Sequence, residues 1–285
     1  MNNVENRYIS CVEYYILLAL KDKKDISSMY YESYKSAFNI YNYFNKAHFN
    51  FTLYDDINKI QETLIKHKLL HYKVSKKILL KEFSNDNCIP LLLVNETFFN
   101  KRKYKTLRDD HYILIKNDNG LALYNSYPIS IEKISLEELI DIYDNKSLYY
   151  YLSLDKKINI NKIYKLFKKI IKKEKYQEID YKMVFINYEL QSSFYILKVL
   201  RYRLYDLCNY FKKNGFNVSN TLLNTINEAS LFYKDSFIKI AMLLNKKYDD
   251  KQEISLLISH LNEYEKRIYS LLRKDFLNEK KWNNK

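Results

Sequence analysis

Residues 110–125 read DHYILIKNDNGLALYN: two apolar runs, Tyr112–Ile115 and Leu121–Tyr124, around Lys116-Asn117-Asp118-Asn119-Gly120. Asn119 and Gly120 both tolerate positive φ, so the pair predicts a tight turn and the runs predict a β-hairpin. His111 directly precedes the first strand and Asn125 ends the second. The register of such a hairpin brings those two ends together. An asparagine beside a histidine can accept the Nδ1 proton, fix the tautomer and leave Nε2 free as a base. The bland alternative is a histidine that simply sits hydrogen-bonded beside a strand. His48, His67, His71 and His260 have no comparable companions and read as structural.

Working outward, the first half alternates helix and strand patterns. Ser10-Cys11 leads into the apolar run VEYYILLAL, a helix with Ser10 near its N-cap. A thiol at a helix start meets free N–H groups and the positive end of the dipole, which favour the thiolate. A buried structural cysteine is the competing reading of Cys11. Residues 55–68 pattern as an amphipathic helix, with Ile57, Ile60, Leu64 and Ile65 on one face. Cys88–Val94 (CIPLLLV) is a short apolar run typical of a buried strand, and Ser135-Leu136-Glu137-Glu138 is a capping box.

An early helix-start cysteine followed, about a hundred residues later, by His–strand–turn–strand–Asn is the order of papain-like cysteine enzymes. The text resembles the butirosin-type acyltransferases, relatives of the papain-like bacteriocin-processing peptidases, a group that includes amide-forming enzymes of thiotemplated peptide biosynthesis. The residues that carry the resemblance begin with Ser10-Cys11 and Cys88-Ile89-Pro90-Leu91-Leu92-Leu93-Val94-Asn95. They continue through Phe98-Phe99, a basic loop, Asp110-His111-Tyr112-Ile113-Leu114-Ile115 and Leu123-Tyr124-Asn125, and close with Ile134-Ser135-Leu136-Glu137-Glu138-Leu139. The resemblance spans roughly residues 5–145. The family often has His before its cysteine, where Ser10 stands here. Its third residue is commonly Asp, where this chain has Asn125, and its acidic place after the apolar strand holds Asn95. The resemblance implies Cys11 as nucleophile, His111 as base and Asn125 as orienting residue. Papain-like enzymes also take one oxyanion donor from a Gln or Asn shortly before the nucleophile, a place that Asn6 fills.

Composition narrows the chemistry. In 285 residues there are 2 Gly, so neither a P-loop nor a GxGxxG fingerprint can be assembled. Cys11, Cys88 and Cys208 are too few and too scattered for a disulfide framework or a zinc site, which favours a reducing compartment. No signal peptide or membrane-spanning run is legible, so the expectation is a cytoplasmic protein. No resident metal or cofactor is expected; phosphopantetheine would enter only as part of a carrier-bound substrate.

The charge is uneven. Residues 1–150 hold 21 Lys and Arg against 19 Asp and Glu, net +2, and residues 151–285 hold 27 against 15, net +12. The second half also changes pattern. Residues 161–175 form a lysine-rich amphipathic helix, followed by three longer helical stripes, the first ended by Asn214-Gly215. Such narrow stripes must pack on one another. The expected architecture is therefore α+β: a papain-like domain over 1–155, then a helical bundle over 156–285.

The leading functional expectation is an acyltransferase. Cys11 takes an acyl group from a thioester on an acidic acyl or peptidyl carrier protein and passes it to a small amine. Lys165, Lys168, Lys169 and Lys172 are the candidate carrier-docking residues, with a merely solvated lysine face as the alternative. A cysteine peptidase or amidase using the same three residues is the second reading. A non-catalytic protein that grips RNA or an anionic membrane surface is the third, although no nucleic-acid motif accompanies the lysines.

Overall fold

The computed structural model describes residues 10–46, 60–102, 111–117, 119–126, 129–246 and 251–277. In chain order these form α1 (Cys11–Leu20), a 3₁₀ segment (Ser27–Ser33), α2 (Ala37–Lys46), α3 (Ile60–Lys66), β1 (Leu70–Ser75) and β2 (Cys88–Val94). Next come α4 (Glu96–Lys101), β3 (Tyr112–Asn117), β4 (Leu121–Ser126), β5 (Ile129–Lys133), α5 (Leu136–Ile142) and β6 (Tyr143–Leu152). The helices α6 (Ile160–Lys173), α7 (Tyr188–Lys213), α8 (Asn220–Lys246) and α9 (Lys251–Leu277) follow. The chain is α+β and divides into two compact units, Met1–Asp25 with Tyr54–Lys157, and Ile26–Leu53 with Ile158–Lys285. Residues 26–53, which lie inside the span read from sequence as the first domain, thus belong to the second unit. None of the described helices is long and apolar enough to cross a membrane.

The first unit is built on a six-stranded sheet in the order β1-β6-β2-β3-β4-β5, with every pair antiparallel. The β3–β4 hairpin forms as its sequence predicts, with Leu114 opposite Tyr124 and Asn117 opposite Leu121. Asn119 and Gly120 both take positive φ at the turn, +63° and +119°, a conformation glycine adopts without the steric penalty of a Cβ. Side chains alternate across a strand. Leu92, Val94, Ile113, Ile115 and Leu123 therefore share one sheet face, where they meet Phe98 and Phe99 of α4 and Leu139 and Ile142 of α5 in one buried core. β2 is buried along its whole length, as a strand covered on both faces must be.

Local caps fix where the helices start. Ser10 Oγ accepts from Glu13 N at 3.3 Å and Ser135 Oγ from Glu138 N at 3.1 Å, each satisfying an N–H that the helix leaves open. The helix expected over 55–68 is present as Ile60–Lys66, and residues 55–59, with Ile57, lie outside the described residues. Its first N–H, at Ile60, donates to Glu13 Oε1 at 2.8 Å, so buried Glu13 joins α3 to α1.

In the second unit α7 packs against α8 and α8 against α9, and the 3₁₀ segment and α2 pack on α7. A fully buried ion pair sits among them. Arg201 Nε and Nη2 donate to the two oxygens of Glu265 at 2.8 and 2.5 Å, and Nη2 also reaches the Lys35 carbonyl. Tyr233 donates its hydroxyl to the same carboxylate at 2.7 Å.

Candidate active site

The β3–β4 hairpin delivers His111 and Asn125 to one end of the sheet, on the face of Ile113 and Leu123. Their side chains meet directly, His111 Nε2 to Asn125 Oδ1, at 2.7 Å. Both are buried, at 5% and 1% exposure. An amide oxygen only accepts, so Nε2 carries the proton and Nδ1 of the neutral ring is the free base. This corrects the expected assignment, in which Nδ1 held the asparagine and Nε2 was free. The reason is geometric: His111 and Asn125 are offset diagonally across the two strands, so the far nitrogen of the ring reaches the amide.

The ring is held on its other side by α4. Phe98 stacks on it at 5.8 Å between centroids and Phe99 tilts against it at 5.7 Å. Burial in this aromatic setting pushes the His111 pKa below its usual value, while the Asn125 hydrogen bond opposes that shift. A neutral imidazole at physiological pH is the outcome, which is the form a general base requires. Asn95 caps α4: its Oδ1 accepts from Thr97 N at 2.9 Å and its Nδ2 donates to the Asp141 carbonyl at 2.8 Å. The asparagine at this place is thus explained by two neighbouring chain segments that it stitches together.

Cys11 is the first residue of α1, directly after the capping Ser10, and is half-buried. One helical turn later Tyr15, fully buried, donates its single hydroxyl proton between the carbonyls of Tyr112 (3.1 Å) and Tyr124 (2.9 Å). Those carbonyls belong to the residues adjacent to His111 and Asn125. Burial and then the neighbouring Cys11 thiol push the Tyr15 phenol up, while contact with Ser126 opposes the rise. His111 and Asn125 are in direct contact, and Tyr15 ties the first turn of α1, which Cys11 opens, to the strand residues beside them. Tyr15 was missed in the sequence because it looks like one more apolar position of α1. Asn6, the expected oxyanion donor, lies outside the described residues.

The other two thiols differ from Cys11. Cys88 is fully buried, and desolvation with the nearby Glu82 pushes its pKa up to about 12. Burial likewise raises that of Cys208. Both stay protonated and sealed in their cores, which leaves Cys11 as the accessible sulfur among the three.

The expected docking lysines lie on α6, which carries no acidic residue. Lys165, Lys169 and Lys172 are exposed, and among the described residues none of them pairs with a carboxylate. Lys168 instead folds back over the Tyr164 ring, 5.5 Å from its centroid. Asn159, Asn161, Lys162, Lys165, Leu166 and Lys169 line an open groove of about 360 Å³. No group of His, Cys, Asp and Glu among the described residues could hold a metal ion. Comparisons with protein-family models, with curated proteins and with solved structures gave no match.

Proposed function

We propose that the first unit is a papain-like cysteine acyl-transfer domain, with Cys11 as nucleophile, His111 as base and Asn125 as the residue that orients it. The observation that carries this reading is the buried 2.7 Å His111–Asn125 hydrogen bond, beside strand residues to which the cysteine-headed helix is tied by Tyr15. Cys11 gives its proton to His111 Nδ1 and attacks the carbonyl of an acyl thioester. A C–S bond to Cys11 forms, the C–S bond to the donor breaks, and the donor thiol leaves with the proton from His111. An amine then attacks the acyl-enzyme, the new C–N bond replaces the C–S bond, and the amine's proton returns through His111 to Cys11. The aromatic wall of Phe98 and Phe99 keeps water scarce at the base, which favours amine over hydrolysis.

The acyl donor in this reading is an acidic carrier protein bearing its substrate on phosphopantetheine. Support comes from charge: α6 presents the exposed Lys165, Lys169 and Lys172, which pair with no carboxylate among the described residues, and the second half of the chain is net +12. The deciding experiment is the intact mass of the protein after incubation with acyl-loaded carrier. An acyl adduct that maps to Cys11 and is discharged by added amine is the expected result. Discharge at the same rate without amine would make the protein a hydrolase. If no adduct forms and iodoacetamide alkylates Cys11 no faster than Cys88 and Cys208, the reading fails.

A further inference from the structure

The sheet of the first unit ends in two edge strands, β1 and β5. An open edge presents unpaired N–H and C=O groups, and natural edges are commonly protected by charge, proline or a bulge. β5 has no bulge against β4: Ile129 to Lys133 pair in unbroken register with Ser126 to Ala122. Just beyond, Ile134 N donates to Leu121 O at 3.0 Å, which marks that opposed pair as hydrogen-bonded. Such pairs alternate along an antiparallel ladder. Ser130 and Glu132 therefore turn their backbone groups to β4. Ile129, Ile131 and Lys133 turn theirs to the free edge, where no strand among the described residues meets them. The side chains of Ile129 and Ile131, on one face, are 51% and 67% exposed.

This edge is complementary to itself. Turned about a two-fold axis through Ile131, β5 lies antiparallel to its own copy over its whole length. Ile131 then faces Ile131 of the partner subunit, and Ile129 faces Lys133 of the partner subunit. All of these turn their backbone groups outward, so the facing residues exchange N–H···O bonds in pairs. On the other face Ser130 stands opposite Glu132 of the partner subunit, at the closer spacing of a non-hydrogen-bonded pair. Ser130 Oγ is shielded from water and bonds nothing within the chain. Glu132 is already matched by Arg102 at 2.6 Å. No like charges are directly opposed. The other edge differs. Ser153 N donates to Leu69 O, so on β1 the backbone groups of Leu70, Tyr72 and Val74 face outward. Pairing β1 with its copy about Tyr72 sets Lys73 against His71, and pairing about Lys73 sets that lysine against itself, which is unfavourable. Lys73 thus guards β1 against self-pairing, and nothing comparable guards the middle of β5.

We propose that the chain forms a homodimer through β5, which joins two six-stranded sheets into one continuous sheet. Ser130 is also the cross-strand partner of Asn125, so the seam lies one strand away from the end of β4 where Asn125 meets His111. Neither the dimer nor its test uses the chemistry assigned to Cys11.

A seam of one short strand pair is smaller than a standard interface, so a dissociation constant on the order of 10 µM is expected. Sedimentation velocity of the full chain across that range should show monomer passing into dimer. Ile131→Lys sets two ammonium groups face to face at the axis and should raise the constant about tenfold or more. Tyr72→Lys, the same kind of change on β1, should leave it unaltered. Both side chains are exposed in the single chain, so far-UV circular dichroism should not change in either variant. Crosslinking reads the register, in Cys11→Ala protein, where the remaining Cys88 and Cys208 are buried. Ile131→Cys brings two thiols together at the axis, within disulfide reach, and should give a covalent dimer under mild oxidation. Ile129→Cys keeps its two thiols about 13 Å apart along the strands and should not. Equal crosslinking by the two cysteine variants, or a dimer dissolved by Tyr72→Lys and not by Ile131→Lys, overturns the proposal. A parent that stays monomeric overturns it too, and leaves the β5 edge to an extended peptide of another sequence.

Discussion

His111 donates through Nε2 to Asn125 Oδ1 at 2.7 Å, which leaves Nδ1 as the only nitrogen able to accept a proton from a nucleophile. The asparagine orients the ring and selects the tautomer but has no proton to exchange. His111→Ala should therefore cut kcat/KM by about 10³, the scale of general-base catalysis, and Asn125→Ala by only about 10-fold to 10²-fold. Burial lowers the His111 pKa, so the acid limb of the rate profile should fall below the ordinary histidine value of about 6.5. Losing Asn125 removes the contribution that raises it, and the limb should move lower still. A limb that stayed put in Asn125→Ala would disconnect this pair from the chemistry.

The same shift carries a stability consequence. A histidine whose folded pKa is depressed binds fewer protons folded than unfolded, so stability is full above about 6.5 and is lost as pH falls through the lowered value. His111→Gln has nothing to titrate there. Melting temperatures of parent and variant should converge as pH drops from 7 to 5, the parent losing more.

Cys11 separates from the other thiols by exposure as well as position. Iodoacetamide should modify it first, with Cys88, pushed up to about 12, and Cys208 reacting only on unfolding. Cys11→Ala should abolish turnover with an unchanged melting temperature. Retention of most of the rate would remove the nucleophile assignment.

Local signals carried much of the fold into view. The turn at Asn119-Gly120, the caps at Ser10 and Ser135, and the end of α7 at Asn214-Gly215 all rest on one or two residues with a fixed backbone requirement. β1, β5 and β6 carry no such local signal and take their places by pairing with neighbouring strands. β6 runs through Asn145 at positive φ and pairs with β1 and β2, far away in sequence, so its length is set by partners and not by its own pattern. The placement of 26–53 with the helical unit is equally non-local: Arg201 and Glu265 grip Lys35 and Ala37 from more than 160 residues away. In the site, the residue types were legible, but the ring nitrogen and Tyr15 depend on distances that a sequence does not contain.

Tyr15 makes a separate test of the link between α1 and the hairpin. Tyr15→Phe keeps the ring and deletes the hydroxyl shared by the Tyr112 and Tyr124 carbonyls. A loss of about 1–2 kcal/mol in denaturant unfolding is expected. If Tyr15 also positions Cys11, kcat should fall while KM for a small thioester holds, an outcome that lost stability alone does not give.

The Arg201–Glu265 pair predicts an asymmetry in the helical unit. Glu265→Gln leaves a buried guanidinium without its counterion and should cost about 3–5 kcal/mol. Replacing both partners, Arg201→Met with Glu265→Leu, should recover part of that loss. A double variant less stable than Glu265→Gln would mean that the remaining contacts of Arg201, to Lys35 and over Tyr34, matter more than its charge.

The lysines of α6 decide whether the basic helix is a docking surface. Lys165, Lys169 and Lys172 project into solvent, whereas Lys168 lies against Tyr164, so the three exposed positions should carry most of the effect. Changing them to Glu should raise KM for a carrier-bound substrate about tenfold and leave a small thioester, which does not exploit a long-range field, nearly untouched. Lys168→Glu alone should instead cost stability through the lost ring contact, with a smaller effect on KM. Added salt should bring the parent toward the charge-reversed protein, because exposed charges are screened beyond about 8 Å near physiological ionic strength. Carrier kinetics indifferent to both charge reversal and salt would make α6 a solvated face and leave the carrier without electrostatic support.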